Sequence, residues 1–303
     1  MKIFVTGGTG FLGRELCQVL SERGHEVVAV SRDAGAAHAR LGSSARVVEW
    51  TDRWQTAVNE ADAIVNLAGE PVAGGRWTPA RKERIRASRV ETTRSVVAAI
   101  ERVQHRPAVL VNASAVGYYG PRGDEAVTED TPAGNDFLAR VCVAWEEAAR
   151  RAASLGTRVV RLRLGVVLGK RGGALQRMRT PFKLFVGGPL GSGTQWVPWI
   201  HCDDVTGLIQ LALDNPGACG AINATAPNPC TMRTFCETLG KALRRPSWLP
   251  LPASVLRLAL GEMAQMFLTG QRALPAAAER LGYRFRYATL EQALAAALSR
   301  EQT

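Results

Sequence analysis

The chain has 303 residues, of which 46% are apolar, and it carries a formal net charge of +11. This length suits one large α/β domain with a smaller appendage, and the absence of a long apolar run excludes an integral membrane protein. The positive charge comes mainly from arginine spread along the chain, so composition favours neither nucleic acid nor a membrane as a partner.

The six cysteines and four histidines do not follow the spacing of a metal or disulfide motif. There is no C-x-x-C pair, and we therefore predict no metal site. The N-terminus lacks the pattern of a signal peptide, and reduced cysteines are typical of the cytosol. We accordingly expect a cytoplasmic protein.

The first predicted elements are a strand, a glycine turn and a helix. The apolar run Lys2–Val5 precedes the motif G-x-G-x-x-G at residues 8–13, and helical spacing of Leu12, Leu16 and Leu20 follows. Glycines allow a tight turn whose backbone touches a pyrophosphate, and the next helix points its N-terminal N–H groups at that anion. This order predicts a dinucleotide site.

The second predicted strand, Glu26–Val30, ends where the ribose 2′ position is read in such sites. The residues that follow are Ser31 and Arg32. A guanidinium pairs with a 2′-phosphate, and a serine donates one more hydrogen bond, so we predict NADP(H). Asp33 keeps NAD open as an alternative, because a carboxylate one place further on can accept from a free 2′-OH.

Strands and helices then alternate in the manner of a doubly wound parallel sheet. Residues 1–165 form the predicted dinucleotide-binding domain of Rossmann type, to which residues 201–225 return. Residues 166–200 and 226–303 form a smaller, mostly helical substrate region that covers the carboxyl ends of the strands. The predicted strands are Val47–Trp50, Ala63–Leu67, Val109–Ala113, Val159–Leu164 and Ala221–Asn223, and the longer helices are Pro79–Val103, Asp136–Ala153, Asp203–Asp214 and Thr231–Leu243.

Four motifs together make the chain resemble the short-chain dehydrogenase/reductase superfamily, in its extended, nucleotide-sugar-epimerase branch. They are Thr6–Gly13, Asn66-Leu67-Ala68-Gly69, Tyr119-Gly120 and His201–Asp204. The chain is similar to the atypical epimerase family proteins of unknown substrate that carry a small C-terminal domain. The resemblance implies a monomer or homodimer that binds NAD(P) and a small-molecule substrate.

The resemblance also assigns cofactor roles to individual residues. Gly7, Gly10 and Gly13 hold the pyrophosphate, with backbone amides of Phe11 and Leu12, while Ser31 and Arg32 meet the 2′-phosphate. The remaining assigned residues are Leu67, Ala68 and Gly69 along the adenosine, Arg89 at the place of a cofactor-side asparagine, and Val167 beside the nicotinamide.

The proton-transfer residues of the superfamily are missing or displaced. The tyrosine and lysine that the resemblance implies fall on Leu138 and Cys142, which cannot perform that chemistry. Tyr118, Tyr119 and Ser114 are therefore the predicted catalytic residues, since their loop leaves the carboxyl end of a central strand. His201 as a titrating group and Cys142 as a nucleophile are further alternatives.

Two functions follow from these patterns. The first is an NADP(H)-dependent oxidoreductase or epimerase with a rearranged proton-transfer site. The second is a non-catalytic NADPH-binding sensor or interaction module, which the missing tyrosine and lysine favour.

Overall fold

The computed structural model describes residues 1–51 and 54–299. Its centre is a seven-stranded, fully parallel sheet in the order β11-β7-β5-β4-β1-β2-β3. The doubly wound sheet predicted from the sequence is confirmed. Its strands are β1 (Lys2–Thr6), β2 (Glu26–Ser31), β3 (Arg46–Glu49), β4 (Ala63–Asn66), β5 (Val109–Ala115), β7 (Arg158–Leu164) and β11 (Gly220–Ala224).

Six short strands pair outside the main sheet, as β8 with β10, β9 with β12, and β6 with β13. They link the sheet to the chain that follows it. Their bounds are β6 (Ala126–Val127), β8 (Val166–Leu168), β9 (Trp196–Val197), β10 (Trp199–His201), β12 (Cys230–Thr231) and β13 (Arg272–Ala273).

The helices begin at capping residues that the sequence supplies. Thr78, Asp136 and Thr231 each accept a hydrogen bond from a backbone N–H in the first turn of a helix, which satisfies a donor that has no partner within the helix. The helices are α1 (Phe11–Glu22), α2 (Ala34–Leu41), α3 (Pro79–Arg102), α4 (Phe137–Arg150), α5 (Gly173–Lys183), α6 (Cys202–Asp214), α7 (Met232–Leu243), α8 (Ala253–Leu260), α9 (Gln265–Leu268), α10 (Ala276–Arg280) and α11 (Leu290–Leu298).

Helices cover both faces of the main sheet. Leu16 and Leu20 of α1 and Leu208 and Ile209 of α6 belong to the core on one face. The core on the other face includes Val96 and Ile100 of α3 and Ala149 of α4. Because both faces are buried, the central strands read as nearly continuous apolar runs.

A third core holds the C-terminal elements together. Phe182 of α5, Phe235 of α7 and Leu294 of α11 pack with Trp199 of β10. β10 leads directly into α6, and α6 packs against one face of the main sheet. This connection joins the third core to the main domain at the carboxyl ends of the strands. None of the helices in the described part of the chain has the length and apolar character to cross a bilayer.

Candidate functional site

The glycine turn after β1 forms a backbone cradle at the N-terminus of α1. Gly7 has φ +70°, and a methyl group there would lie 2.7 Å from the backbone of Leu67. A methyl group at Gly13 would lie 2.2 Å from the carbonyl oxygen of Gly7. The N-cap position, Gly10, has no side chain, so the first N–H groups of α1 remain open. This cradle fits a pyrophosphate, because only glycine leaves space for the close backbone approach.

Ser31 at the end of β2 and the two residues after it have different partners. The Asp33 carboxylate accepts a 2.9 Å hydrogen bond from Ala36 N–H and thereby caps α2. The Ser31 hydroxyl donates to the backbone oxygen of Asp33. Arg32 is exposed, and in the ranges 1–51 and 54–299 no carboxylate lies within ion-pair distance of it. The helix cap thus engages Oδ1 of Asp33, whereas the Arg32 guanidinium is open to solvent.

The loop after β8 closes against the start of α1. Methyl groups at Gly169, Gly172 or Gly173 would lie 2.7 to 2.9 Å from Phe11 side-chain atoms, so these glycines let the backbone pack on the ring. Arg14 donates a 3.2 Å hydrogen bond to the backbone oxygen of Arg171. Half-buried Val167 lies just before this loop, in β8. The loop thus joins the cradle to the C-terminal region.

Arg89 of α3 is a largely buried cation without a carboxylate partner among the described residues. Its Nη1 donates to the backbone oxygen of Ile85, and its guanidinium lies 5.2 Å from the ring centre of Trp145. A methyl group at Gly69 would lie 3.1 Å from Arg89 Cζ, so the Arg89 guanidinium lies beside the loop that follows β4. Burial lowers the pKa of Arg89. A desolvated cation of this kind favours an anionic ligand, because pairing offsets the cost of burial.

Leu67 and Ala68 follow β4 and are half-buried, while Gly69 is exposed beside them. Their position is fixed by Asn66, the last residue of the strand. Asn66 accepts from Thr6 Oγ1 and donates to Thr93 Oγ1 and Asn112 Oδ1 at 2.8 and 2.6 Å. These buried hydrogen bonds tie β4 to β1, β5 and α3, so the residues that follow lie beside Gly7.

Two of the three predicted catalytic hydroxyls form hydrogen bonds with buried side chains. Ser114 is 1% exposed and donates to Glu146 Oε1 at 2.8 Å. Tyr119 is fully buried and donates to Asn223 Oδ1 at 2.6 Å. Burial raises the pKa of Tyr119 to about 12. Both contacts favour structural roles for these residues.

Tyr118 differs from its neighbour. It is half-buried, and its ring lies 3.5 Å from the Arg163 guanidinium carbon. Its hydroxyl oxygen is not buried, and among residues 1–51 and 54–299 no group forms a hydrogen bond with it. Of the three predicted hydroxyls, Tyr118 alone is free to meet a substrate.

The sequence interpretation missed the charged centre beneath these residues. Glu146 of α4 is 1% exposed and accepts from Arg163 Nε at 2.8 Å and from Arg161 Nη1 at 2.9 Å. Arg163 also donates to Tyr119 Oη at 2.9 Å. Burial alone lowers the pKa of Arg163, but its hydrogen bonds to Glu146 raise it overall. Three arginines in the otherwise apolar strand β7 were the available signal, since a buried cation needs a partner.

The positions where the superfamily would place its tyrosine and lysine face this same region. A methyl group at Gly117 would lie 3.5 Å from Leu138 Cβ and 4.0 Å from Cys142 Sγ. Burial raises the pKa of Cys142 to about 12, which keeps the thiol protonated. This disfavours Cys142 as a nucleophile.

His201 serves as the N-cap of α6. Its Nδ1 accepts a 3.2 Å hydrogen bond from Asp203 N–H, and burial lowers its pKa. His201, Cys202 and Asp203 each have one atom that could bind a metal ion, and these three atoms lie within 4.8 Å of one another. However, Nδ1 is used by the helix cap, and burial raises the pKa of Cys202 to about 12. The cap gives His201 a structural role through Nδ1, while its buried Nε2 has no hydrogen-bond partner among the described residues.

Comparison with known proteins gives two family matches. The model described as "NAD dependent epimerase/dehydratase family" matches residues 3–224, and the model described as "Domain of unknown function (DUF1731)" matches residues 251–297. The chain is 40% identical to "Epimerase family protein YfhF" of Bacillus subtilis over the full length of both proteins. It is 44% identical to "Epimerase family protein SDR39U1 homolog, chloroplastic" of Arabidopsis thaliana, covering 98% of this chain and 86% of that protein.

Among solved structures, human epimerase family protein SDR39U1 with NADPH is similar throughout. Its TM-score is 0.87 at 36% identity, covering 98% of this chain and 99% of that one. UDP-glucuronic acid 4-epimerase from Bacillus cereus has a TM-score of 0.80 at 19% identity, which shows a shared fold alone.

Proposed function

Because this chain belongs to the NAD dependent epimerase/dehydratase family, we propose that it binds NADP(H) and transfers hydride between the nicotinamide and a small carbonyl or hydroxyl compound. Nucleotide sugars are one substrate class to test. The observation that carries the cofactor choice is the unpaired Arg32 after β2, next to an Asp33 carboxylate that already caps a helix. The NADPH in the similar human structure supports the same choice.

Several residues would hold the cofactor. The cradle of Gly7, Gly10 and Gly13 accepts the pyrophosphate, and Arg32 pairs with the 2′-phosphate. Arg89 adds a largely buried positive charge beside Gly69. When bound, NADPH supplies a hydride to a carbonyl carbon. Phe11 packs against the loop after β8 and so holds that loop next to the cradle.

Replacing Arg32 by aspartate tests the cofactor assignment. We expect NADPH binding to weaken by about 1.5–3 kcal/mol, the scale of a charged hydrogen bond, because the cation is lost and a carboxylate repels the phosphate. Isothermal titration calorimetry with NADPH and NADH measures both affinities. Arg40→Asp on α2 is the control for net charge. An NADPH affinity unchanged by Arg32→Asp would refute the assignment.

Tyr118 is the proposed proton donor in carbonyl reduction. In carbonyl reduction the Tyr118 O–H would donate its proton to the carbonyl oxygen of the substrate, and the phenolate left behind would regain a proton from water. The free hydroxyl of Tyr118 supports this role, and the Arg163 guanidinium places positive charge beside its ring. In the oxidation direction the phenolate takes the proton back.

Tyr118→Phe is expected to abolish NADPH oxidation across a panel of carbonyl metabolites without changing NADPH affinity. The matched variant Tyr119→Phe removes a buried hydroxyl and is expected to lower stability by about 1–3 kcal/mol while turnover by the folded protein persists. Absorbance at the nicotinamide band follows turnover, and thermal unfolding follows stability. Turnover equal to the unsubstituted protein in both variants would remove the tyrosines from the mechanism.

The second candidate function, a non-catalytic NADPH sensor or interaction module, is favoured by Leu138 and Cys142 at the positions of the expected tyrosine and lysine. It predicts NADPH binding without turnover over a broad substrate panel. We prefer the enzyme because Tyr118 retains a free hydroxyl. A cytoplasmic location, a monomeric or homodimeric state and the lack of a nucleic-acid partner remain our predictions.

A further inference from the structure

The positive charge of the chain is concentrated in two segments, not spread evenly as the sequence interpretation assumed. Residues 164–202 and 238–261 contain nine of the 38 lysines and arginines and none of the 27 aspartates and glutamates. The rest of the chain is nearly neutral, with 29 basic and 27 acidic residues. These two segments therefore carry most of the net charge.

The two segments meet at the surface of the C-terminal region. Trp248 Nε1 donates to the backbone oxygen of Phe185 at 3.0 Å, and Leu249 N–H donates to that of Gly187 at 3.2 Å. The Arg245 guanidinium lies 4.6 Å from the Phe185 ring centre. Five large apolar side chains protrude here, and we call them the apolar knob: Leu184 (67% exposed), Phe185 (53%), Val186 (48%), Trp248 (63%) and Leu249 (41%).

Backbone strain marks the same place. Phe185 and Arg244 are the two non-glycine residues with positive φ in the described chain, at +63° and +55°. They follow the C-terminal ends of α5 and α7, where glycine is the favoured residue for this conformation. A phenylalanine and an arginine in this region of backbone space cost free energy, and such strain clusters at functional surfaces.

Four exposed cations lie in the helix ends next to the apolar knob. They are Lys183, the last residue of α5, Lys241 near the end of α7, and Arg244 and Arg245 directly after α7. The ion pairs formed by residues 1–51 and 54–299 include none of these four. An exposed apolar cluster with unpaired cations on the adjoining helix ends is complementary to a partner that is apolar beneath an anionic surface.

We propose that the apolar knob and its four cations dock the protein on a bilayer surface that carries anionic phospholipid head groups. Tryptophan and phenylalanine are suited to the interfacial region, where lysine and arginine pair with phosphates. A second copy of the chain would bring the same cations against this surface, so charge disfavours self-association there. The proposal is independent of the cofactor, and it revises the expectation that no membrane takes part.

Vesicle flotation of the full chain tests the docking surface. We expect binding to vesicles of about three parts phosphatidylcholine to one part phosphatidylglycerol, loss of binding at high salt, and little binding to phosphatidylcholine alone. Phe185→Gly is expected to weaken binding at least about tenfold, because it removes a side chain that inserts. Arg244→Gly is expected to weaken it about fivefold.

Both glycine variants suit the positive φ at their positions, so thermal unfolding should show no loss of stability. The matched controls are Val143→Ala, another exposed apolar residue, and Arg40→Gln on α2. Vesicle binding by the controls should equal that of the unsubstituted chain. No binding to anionic vesicles, or equal losses in the controls, would overturn the proposal. Concentration-dependent dimers in analytical ultracentrifugation that Phe185→Gly abolishes would assign the surface to a second copy instead.

Discussion

Gly13→Ala is expected to lower NADPH affinity at least about 100-fold, or roughly 3 kcal/mol. The added methyl group would lie 2.2 Å from the Gly7 carbonyl oxygen and 2.7 Å from Gly8 Cα. Because both neighbours are backbone, α1 has to move away from the turn. That movement displaces the N–H groups that would bind the pyrophosphate, and overpacking of this kind costs about 1–3 kcal/mol of stability as well.

Calorimetry with NADPH measures the first effect, and chemical denaturation measures the second. Gly35→Ala in α2 is the matched control, because its methyl group would meet only Asp33 Oδ1 at an ordinary 3.6 Å. It is expected to leave affinity unchanged and not to lower stability. A folded Gly13→Ala protein that binds NADPH as tightly as the unsubstituted chain would contradict the cradle.

Local features of the site could be predicted from the sequence because local geometry dictates them. A tight βα turn needs glycine, so the spacing of Gly7, Gly10 and Gly13 predicts a cradle, and the turn after β1 has the close backbone contacts that such a cradle requires. The residue after β2 follows the turn at a nearly constant distance, which is why Arg32 is the predicted partner of the 2′-phosphate. The alternating apolar and helical runs gave the parallel sheet for the same reason.

The N-cap of α2 at Asp33 is a local feature that the sequence contains but the sequence analysis misses. The Asp33 carboxylate accepts a hydrogen bond from the N–H of Ala36, three residues later, and this spacing is typical of a helix N-cap. The sequence analysis does not predict α2, so it leaves Asp33 as an alternative ligand for the 2′-OH. A predicted helix over residues 34–41 would have assigned that carboxylate to the cap.

The proton-transfer region could not be predicted because its contacts join distant parts of the chain. Tyr119 and Asn223 are 104 residues apart, and Ser114 and Glu146 are 32 apart. The spacing of apolar residues, with a period of two in strands and 3.6 in helices, does not show which distant residues form such pairs. Sequence patterns therefore indicate three candidate hydroxyls, Ser114 at the end of β5 and two tyrosines after it. Only the packing separates Tyr118 from the two with buried partners.

Glu146→Gln is expected to destabilise the protein by about 3–5 kcal/mol, because it leaves the buried charge of Arg163 without its carboxylate. Glutamine keeps the size of the side chain and still offers one oxygen to Ser114 or Arg163. It cannot neutralise Arg163, which is 2% exposed. Chemical denaturation gives the free energy of unfolding, and Glu147→Gln is the matched control.

Glu147 lies on the same helix, but its side chain is 62% exposed and forms a surface ion pair with Arg150. Its substitution should cost less than about 1 kcal/mol. The double variant Glu146→Gln/Arg163→Met removes the unpaired cation, so it should recover part of the loss. Equal stability of the two glutamine variants would mean that water reaches Arg163, and the Arg163 guanidinium beside Tyr118 would then not be held by a buried ion pair.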